Sequence, residues 1–158
     1  MIAFSNTVKR YPSGFEALKG VTIEIGTGEM VAVSGHSGAG KSTLLRLAAG
    51  IERPSQGSVM VNGQNVAQLK EAGLAVLRRN LGLVFQDHKL LFDRNAYENV
   101  ALPLAIAAFP RAEVGKRVRA ALDKVGLLNR ERSHPVALSG GEQQRLCIAR
   151  AIVNRPSI

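Results

Sequence analysis

A glycine-rich octapeptide early in the chain has the residue types and spacing of a phosphate-binding loop. It consists of Gly35, His36, Ser37, Gly38, Ala39, Gly40, Lys41 and Ser42, and Thr43 follows it. Glycines let the backbone turn tightly and point successive N–H groups at one place, which forms a concave anion site. A helix that begins near Lys41 would add the positive end of its dipole. Lys41 would then bridge the β- and γ-phosphates of a nucleotide, and the Ser42 hydroxyl would ligate Mg²⁺.

A second motif, residues 138–145, reads Leu-Ser-Gly-Gly-Glu-Gln-Gln-Arg. Ser139 and Glu142 have the spacing of a capping box, in which each side chain hydrogen-bonds the backbone of the other at a helix start. Gly140 and Gly141 leave that helix start bare of side chains, so its N–H groups and dipole are able to approach a phosphate. A plain helix cap would explain Ser139 and Glu142, but it would not explain the paired glycines.

Together, the two motifs resemble the phosphate loop and the signature motif of ATP-binding cassette (ABC) ATPases, and the resemblance covers essentially the whole chain. It implies an α/β fold of the P-loop NTPase class. The expected fold is an ABC nucleotide-binding domain with a RecA-like core, an antiparallel β subdomain and a helical subdomain, truncated at its C-terminus. The implied cofactors are ATP and Mg²⁺. In the family, the signature motif faces ATP bound by a second subunit, so we expect a head-to-tail dimer of two copies.

The resemblance also assigns roles to single residues. Tyr11 matches the aromatic residue that stacks on adenine, although a strand-end tyrosine half inside the core explains it equally well from the sequence. Gln86 matches the glutamine that reaches Mg²⁺ and the attacking water. The implied catalytic residues are Lys41, Gln86 and Ser139, and the implied metal ligands are Ser42 and Gln86. The implied nucleotide contacts are Tyr11, the octapeptide with Thr43, Gln86, Ser139, Gly140, Gly141 and Glu142.

Within the family, the chain is most similar to the ATP-binding subunits that act in bacterial cell division. The residues that carry this similarity are 35–42, 85–88, 90–91, 93–94, 121–128 and 139–145. It implies an integral membrane partner of the FtsX type, through which ATP hydrolysis controls cell-wall hydrolases. It also implies a peripheral position on the cytoplasmic face of the inner membrane. Two other functions stay open: the ATPase of a lipoprotein- or drug-export complex, and a non-hydrolysing ATP-binding module that only dimerises.

Hydrolysis in the family requires an aspartate, a glutamate directly after it and a later histidine. The resemblance places all three beyond residues 154–156, close to where this sequence stops. We therefore expect the chain to be a partial sequence. Because phosphoryl transfer depends on positioned charges, we also expect a polypeptide of these 158 residues to have negligible ATPase activity.

The elements that would position these residues follow from periodicity and turn chemistry. Three strands are predicted over residues 2–10, 21–25 and 58–61. Two apolar runs, residues 30–34 and 81–85, predict strands buried on both faces, one before the phosphate loop and one before Gln86. Helices are predicted over residues 41–49, 95–126 and 140–154. We expect one partial domain over residues 1–158, with the β subdomain and core in about 1–87, the helical subdomain in about 88–145, and a return to the core in 146–158.

Composition limits the other possibilities. The hydrophobic fraction of 46% and the charged fraction of 21% are typical of a soluble globular protein. A formal charge of +9 would suit nucleic acid, but the basic residues are dispersed and few aromatic residues are available for base stacking, so we expect no nucleic-acid partner. The single cysteine, Cys147, is expected to be a small core residue. His36 is expected to be a solvent-facing spacer, and His88 and His134 have no partners at metal-ligand spacing.

Overall fold

The computed structural model describes every residue of Met1–Ile158 and divides into two compact units, Met1–Arg78 and Arg79–Ile158. The first unit contains the phosphate loop, and the second contains the signature motif. The expected α/β fold is confirmed, with an antiparallel sheet in the first unit and a set of helices in the second. The finer division predicted at residues 87 and 145 stays a prediction.

The first unit is built on a four-stranded antiparallel sheet. Its strands are β1 (Ile2–Arg10), β2 (Glu16–Ile25), β3 (Gln56–Val61) and β4 (Gln64–Asn65), in the spatial order β2-β1-β3-β4. Side chains alternate between the two faces of a strand, and the buried face carries Phe4 of β1 opposite Val59 of β3. The strands predicted over residues 2–10 and 58–61 are confirmed, and the strand predicted over 21–25 is the second half of β2.

Two helices pack in this unit, α1 (Lys41–Ala48) and α2 (Glu71–Arg79). The helix predicted after the phosphate loop is confirmed as α1, whereas α2 was not predicted. Its buried residues Leu74 and Leu77 have helical spacing, which is the signal that could have indicated it. An ideal Cβ at Gly50 would lie 2.7 Å from a methyl carbon of Leu74, and Arg78 donates to the Gly50 carbonyl oxygen over 2.6 Å. These contacts fix α2 against the turn that ends α1.

Two predicted strands are wrong. Residues 30–34 join no ladder, and the side chain of Met30 is 99% exposed. Residues 81–85 also lie outside any strand; Gly82 donates to the carbonyl oxygen of Ile158 over 2.7 Å, and the Phe85 carbonyl oxygen accepts from the His88 N–H over 3.1 Å within a local turn. A strand requires hydrogen bonds to a neighbouring strand. Apolar composition alone does not supply them, and the sheet includes neither segment.

The second unit is helical, with α3 (Ala96–Ile106), α4 (Arg111–Lys124) and α5 (Gly140–Ile152). Its fully buried side chains form one apolar core and include Val100, Leu104, Val118, Leu122, Leu127 and Leu146. The helical pattern predicted over residues 95–126 is confirmed as two helices, separated by Ala108 at a φ of 53° and by Pro110, the N-cap of α4. The predicted last helix is confirmed as α5. No helix of the chain is long and apolar enough to span a bilayer.

Candidate functional site

The phosphate loop follows a backbone path that favours glycine at three positions. Gly35, Gly38 and Gly40 have φ angles of 146°, 82° and 89°, where residues with a side chain are strained. Gly40 is confined further, because an ideal Cβ there would lie 2.5 Å from the carbonyl oxygen of Ala17 in β2. Gly40 is also the N-cap of α1, so the loop leads its backbone directly into the start of that helix.

Lys41 is the first residue of α1, and its side chain turns back over the loop. Its Nζ donates to the carbonyl oxygens of Gly35 (2.7 Å) and His36 (2.8 Å). An ammonium group has three N–H donors, so one remains for a phosphate oxygen. Neither the loop, residues 35–43, nor the first turn of α1 carries an acidic residue. The ammonium group, the backbone N–H groups and the helix N-terminus therefore fit a polyphosphate.

The neighbouring hydroxyl residues Ser42 and Thr43 have different surroundings. Ser42 is exposed, while Thr43 is buried with its Oγ1 3.2 Å from the Tyr11 hydroxyl. No group of three or more His, Cys, Asp or Glu side chains could hold a metal ion. A Mg²⁺ ion at Ser42 would thus take further oxygen ligands from phosphates and water, as Mg²⁺ usually does at nucleotide sites. The exposed His36 ring contacts its own loop, with Nδ1 2.8 Å from the Ser37 carbonyl oxygen.

Tyr11 follows β1 and is half-buried. Its hydroxyl donates to Oε2 of Glu52 over 2.9 Å, and its ring stacks on Phe15 with centroids 6.5 Å apart and planes inclined by 13°. Phe15 is 54% exposed, and Nζ of Lys9 lies 5.2 Å from the Tyr11 ring centroid. The hydroxyl is anchored among partly buried groups, as the explanation of a strand-end tyrosine half inside the core requires, and the stacking of Tyr11 on adenine stays a prediction.

Glu52 is a residue of this site that sequence reasoning missed. Its carboxylate lies 3.4 Å from Nζ of Lys9 and 3.4 Å from the guanidinium of Arg46, in addition to its hydrogen bond from Tyr11. Burial raises the pKa of Glu52, but the hydrogen bonds from Tyr11 and Lys9 outweigh it and hold that pKa below its ordinary value of 4.5. The carboxylate is therefore charged at neutral pH. Glu52 lies 41 positions from Tyr11 in the chain, so no local pattern indicates the pair.

In the second unit, the signature motif forms the start of α5, and the predicted capping box is confirmed. The Ser139 hydroxyl accepts from the Glu142 backbone N–H (3.3 Å), and Glu142 Oε2 accepts from the Ser139 backbone N–H (2.8 Å). The Ser139 backbone N–H, followed by its hydroxyl, lowers the pKa of Glu142. Gly140 and Gly141 are exposed, and no neighbouring atom lies within 4 Å of an ideal Cβ at Gly140. The helix start is accordingly accessible from solvent.

Gln86 is exposed and lies in a loop, and the strand predicted directly before it, over residues 81–85, does not form. Just after it, His88 and Lys89 have φ angles of 59° and 47°. Their carbonyl oxygens each accept a hydrogen bond of 2.7 Å from the guanidinium of Arg150 in α5. The loop that carries Gln86 is therefore fixed to the helix that begins with the signature motif, by an arginine that sequence reasoning did not single out.

Cys147 lies one turn before Arg150 on the same helix. Its side chain is 1% exposed, and its Sγ donates to the His88 carbonyl oxygen over 3.1 Å. Burial raises the pKa of this thiol. The expectation of a small core residue is confirmed, and a protonated, buried thiol is a poor nucleophile. Of the predicted site residues, the structure brings Tyr11 into contact with Thr43 beside the phosphate loop, whereas the loop that carries Gln86 contacts α5 at Cys147 and Arg150 and not at the signature motif.

Comparison with protein families gives a match to the ABC transporter family over residues 18–158. Among solved structures, the ATP-binding cassette MJ0796, in a dimeric post-hydrolysis state bound to ADP and Pi, superposes with a TM-score of 0.92 at 36% identity. That alignment covers 99% of this chain and 71% of the other. The structure of cbiO1 from Clostridium perfringens, part of the ABC transporter complex cbiONQ, has a TM-score of 0.86 at 31% identity, over 98% of this chain and 62% of the other.

Two curated relatives have nearly the same level of identity but different names. The cell division ATP-binding protein FtsE of Escherichia coli (strain K12) is 52% identical over 158 residues, which are 100% of this chain and 71% of the relative. The methionine import ATP-binding protein MetN 2 of Paraburkholderia xenovorans (strain LB400) is 51% identical over 142 residues, which are 90% of this chain and 37% of the relative.

Proposed function

The chain belongs to the ABC transporter family and is an ABC-type ATPase subunit, and we propose that its phosphate loop binds ATP together with Mg²⁺. The loop geometry carries this proposal: three glycines at positive φ, a lysine bound across the loop, and no acidic residue within it. Lys41 and the loop backbone bind the phosphates, Ser42 ligates Mg²⁺, and Thr43 lines the start of α1 beside them. Tyr11 stacks on the adenine base.

The hydrolytic roles extend this proposal to the second unit. Gln86 contacts Mg²⁺ and the attacking water, and Ser139, Gly140, Gly141 and Glu142 approach ATP held by a second copy of the protein. Support comes from the exposed glycine pair at the start of α5, where backbone N–H groups and the helix dipole favour an anion. The relative MJ0796 is itself described as a dimer. Two copies would then hold two nucleotides between them.

For the cellular role, we propose a cell-division ATPase that acts on an integral membrane partner of the FtsX type and thereby controls cell-wall hydrolases. The identity of 52% with FtsE over the whole chain supports it. The partner contact is proposed within residues 86–100, where Phe92 is 55% exposed and Asp93 and Arg94 are exposed beside it. The protein would lie peripherally on the cytoplasmic face of the inner membrane.

A transport role is the second candidate, and the identity of 51% with a methionine import protein favours it. The lipoprotein- and drug-export complexes belong to the same class. The chemistry at the phosphate loop would be unchanged, and only the membrane partner would differ. The neighbouring gene distinguishes the two: a gene for an FtsX-type protein supports cell division, and a gene for a permease supports transport.

Isothermal titration of the purified protein with MgATP tests the nucleotide proposal. Lys41→Ala should weaken ATP binding at least about tenfold, because it removes a charge-assisted hydrogen bond to phosphate. Lys19→Ala, at an exposed lysine of β2, is the matched control and should bind ATP like the wild type. Equal affinities of the wild type and Lys41→Ala, or no ATP binding by the wild type, would contradict the proposal.

A further inference from the structure

The Tyr11 ring is held at its hydroxyl end by two groups. A phenol has one proton, and Tyr11 donates it to the carboxylate of Glu52 over 2.9 Å. The Thr43 hydroxyl, 3.2 Å away, must then be the donor to the phenol oxygen. Thr43 belongs to the first turn of α1, whose N-terminus forms the end of the phosphate loop. Tyr11, which follows β1, and the phosphate-binding helix α1 are thus joined by a short chain of hydrogen bonds.

Glu52 is itself fixed to α1 through its backbone. Its N–H donates to the carbonyl oxygen of Arg46 over 3.3 Å, and the N–H of Ile51 donates to the same oxygen over 2.9 Å. The side chain of Arg46 then returns to Oε1 of Glu52 over 3.4 Å. The carboxylate that accepts the Tyr11 hydrogen bond is therefore anchored to the C-terminal turn of α1.

Two neighbouring cations, Lys9 and Arg46, compensate the negative charge of Glu52. Lys9 and Arg46 each place a cation 3.4 Å from its oxygens, and Lys9 also donates to the carbonyl oxygen of Arg53 over 2.9 Å. An uncompensated carboxylate near a phosphate loop would repel a nucleotide, whereas one flanked by two cations has little net field. Glu52 is therefore able to accept the Tyr11 hydrogen bond without weakening anion binding.

We propose that Glu52 is a positioning residue for the nucleotide base, which fixes the Tyr11 hydroxyl to α1 and so sets the distance between the base-stacking ring and the phosphate loop. The proposal rests on the function proposed above, in which Tyr11 stacks on adenine and the loop binds the phosphates. Glu52 does not touch the nucleotide. Its effect appears as a preference for ligands that carry a base over ligands that carry phosphates alone.

The test compares the affinities for MgATP and for magnesium tripolyphosphate, measured by isothermal titration on the purified protein. Glu52→Ala should weaken ATP binding by about tenfold, the order expected when a base loses its aromatic stack. Tripolyphosphate binding should stay within about twofold, because its contacts lie in the loop. Glu52→Gln keeps an oxygen acceptor for the Tyr11 hydroxyl and should restore most of the ATP affinity.

A second variant, Tyr11→Phe, distinguishes loss of the hydroxyl contact from a general loss of structure in Glu52→Ala. Tyr11→Phe keeps the ring, loses both hydroxyl contacts and should reduce the ATP-to-tripolyphosphate ratio in the same direction. Adding Glu52→Ala to Tyr11→Phe should then reduce the ratio no further, since the two residues act through one hydrogen bond. Glu16→Ala removes the surface ion pair with Arg10 (2.9 Å) on the same hairpin and serves as the matched control with an unchanged ratio.

The outcomes separate the two proposals. If Glu52→Ala weakens ATP and tripolyphosphate equally, or weakens neither, the positioning role is overturned while ATP binding stands. If the wild type binds neither ligand, or Lys41→Ala binds both as the wild type does, the nucleotide proposal itself fails and the role of Glu52 fails with it.

Discussion

The guanidinium of Arg150 donates to the carbonyl oxygen of His88 over 2.7 Å, and this bond ties the signature helix to the loop that carries Gln86. The same group bonds the Lys89 carbonyl oxygen, so one side chain holds two consecutive residues in the left-handed region. Arg150→Ala should lower the free energy of unfolding by about 2 kcal/mol, because it leaves two carbonyl groups without their charged donor. Urea unfolding followed by circular dichroism measures it.

Arg150→Lys is expected to recover only part of this loss, since an ammonium group does not reproduce the fork of a guanidinium. Arg119→Ala removes an exposed arginine paired with Glu131 (2.9 Å) and is the matched control, with an expected loss well below that of Arg150→Ala because solvent screens an exposed ion pair. Equal losses in the free energy of unfolding for Arg150→Ala and Arg119→Ala would show that the hydrogen bonds from Arg150 to the loop stabilise the fold no more than a surface ion pair does.

Gly40→Ala tests the close approach between the phosphate loop and β2. The new Cβ would meet the Ala17 carbonyl oxygen at 2.5 Å, in a residue held at a φ of 89°. The expected loss of stability is about 3 kcal/mol, of which about 1 comes from the backbone angle and about 2 from the clash. Gly28→Ala, with a φ of 81° and no atom near its ideal Cβ, should lose only the backbone part, about 1 kcal/mol. Thermal unfolding of both variants decides between these values.

The capping box makes a pH prediction for the start of α5. The Ser139 backbone N–H and hydroxyl hold the pKa of Glu142 below its ordinary value of 4.5 in the folded state. A carboxyl group with a depressed folded-state pKa contributes stability that is full above its unfolded-state pKa and is lost as the pH falls through the folded-state pKa. Melting temperatures measured downward from pH 6 should therefore fall less steeply in Glu142→Gln, which keeps the capping geometry without the charge. Parallel curves for the two proteins would contradict this role.

A polypeptide of these 158 residues is expected to release no phosphate from ATP above the background of Lys41→Ala. The family resemblance implies that the residues which polarise the attacking water follow residues 154–156, and positioned charges supply most of the rate in phosphoryl transfer. A phosphate-release assay at saturating MgATP measures it. Linear turnover by the wild-type polypeptide that disappears in Lys41→Ala would show the prediction to be wrong.

The proposed partner contact leads to a co-purification experiment in membranes that contain the FtsX-type protein. Replacing Asp93 and Arg94 together with alanine should reduce the amount of ATPase that co-purifies, because both side chains are exposed next to exposed Phe92. Replacing Lys116 and Asp123 of α4 removes the same two charge signs from another exposed surface and serves as the control. Retention of the Asp93 and Arg94 variant at the wild-type level would place the contact elsewhere.

The features that sequence reasoning predicted correctly depend on local interactions. The cap at Ser139 involves residues three positions apart, and α1 begins directly after Gly40, the last glycine of the phosphate loop. The strands expected over residues 30–34 and 81–85 failed because their existence depends on distant ladder partners, which apolar composition does not reveal. Glu52 and Arg150 were missed for a related reason: their partners Tyr11 and His88 lie 41 and 62 positions away in the chain.

The burial of Cys147 makes its rate of thiol labelling a measure of how often α5 opens. The thiol is the only one in the sequence, it is 1% exposed, and its proton is retained by a raised pKa. A thiol reagent can therefore modify it only during excursions that separate α5 from the loop at His88, so the labelling rate counts those excursions. If nucleotide binding makes the opening of α5 less frequent, the labelling rate of Cys147 will fall. A colorimetric thiol reagent measures this rate without an engineered probe.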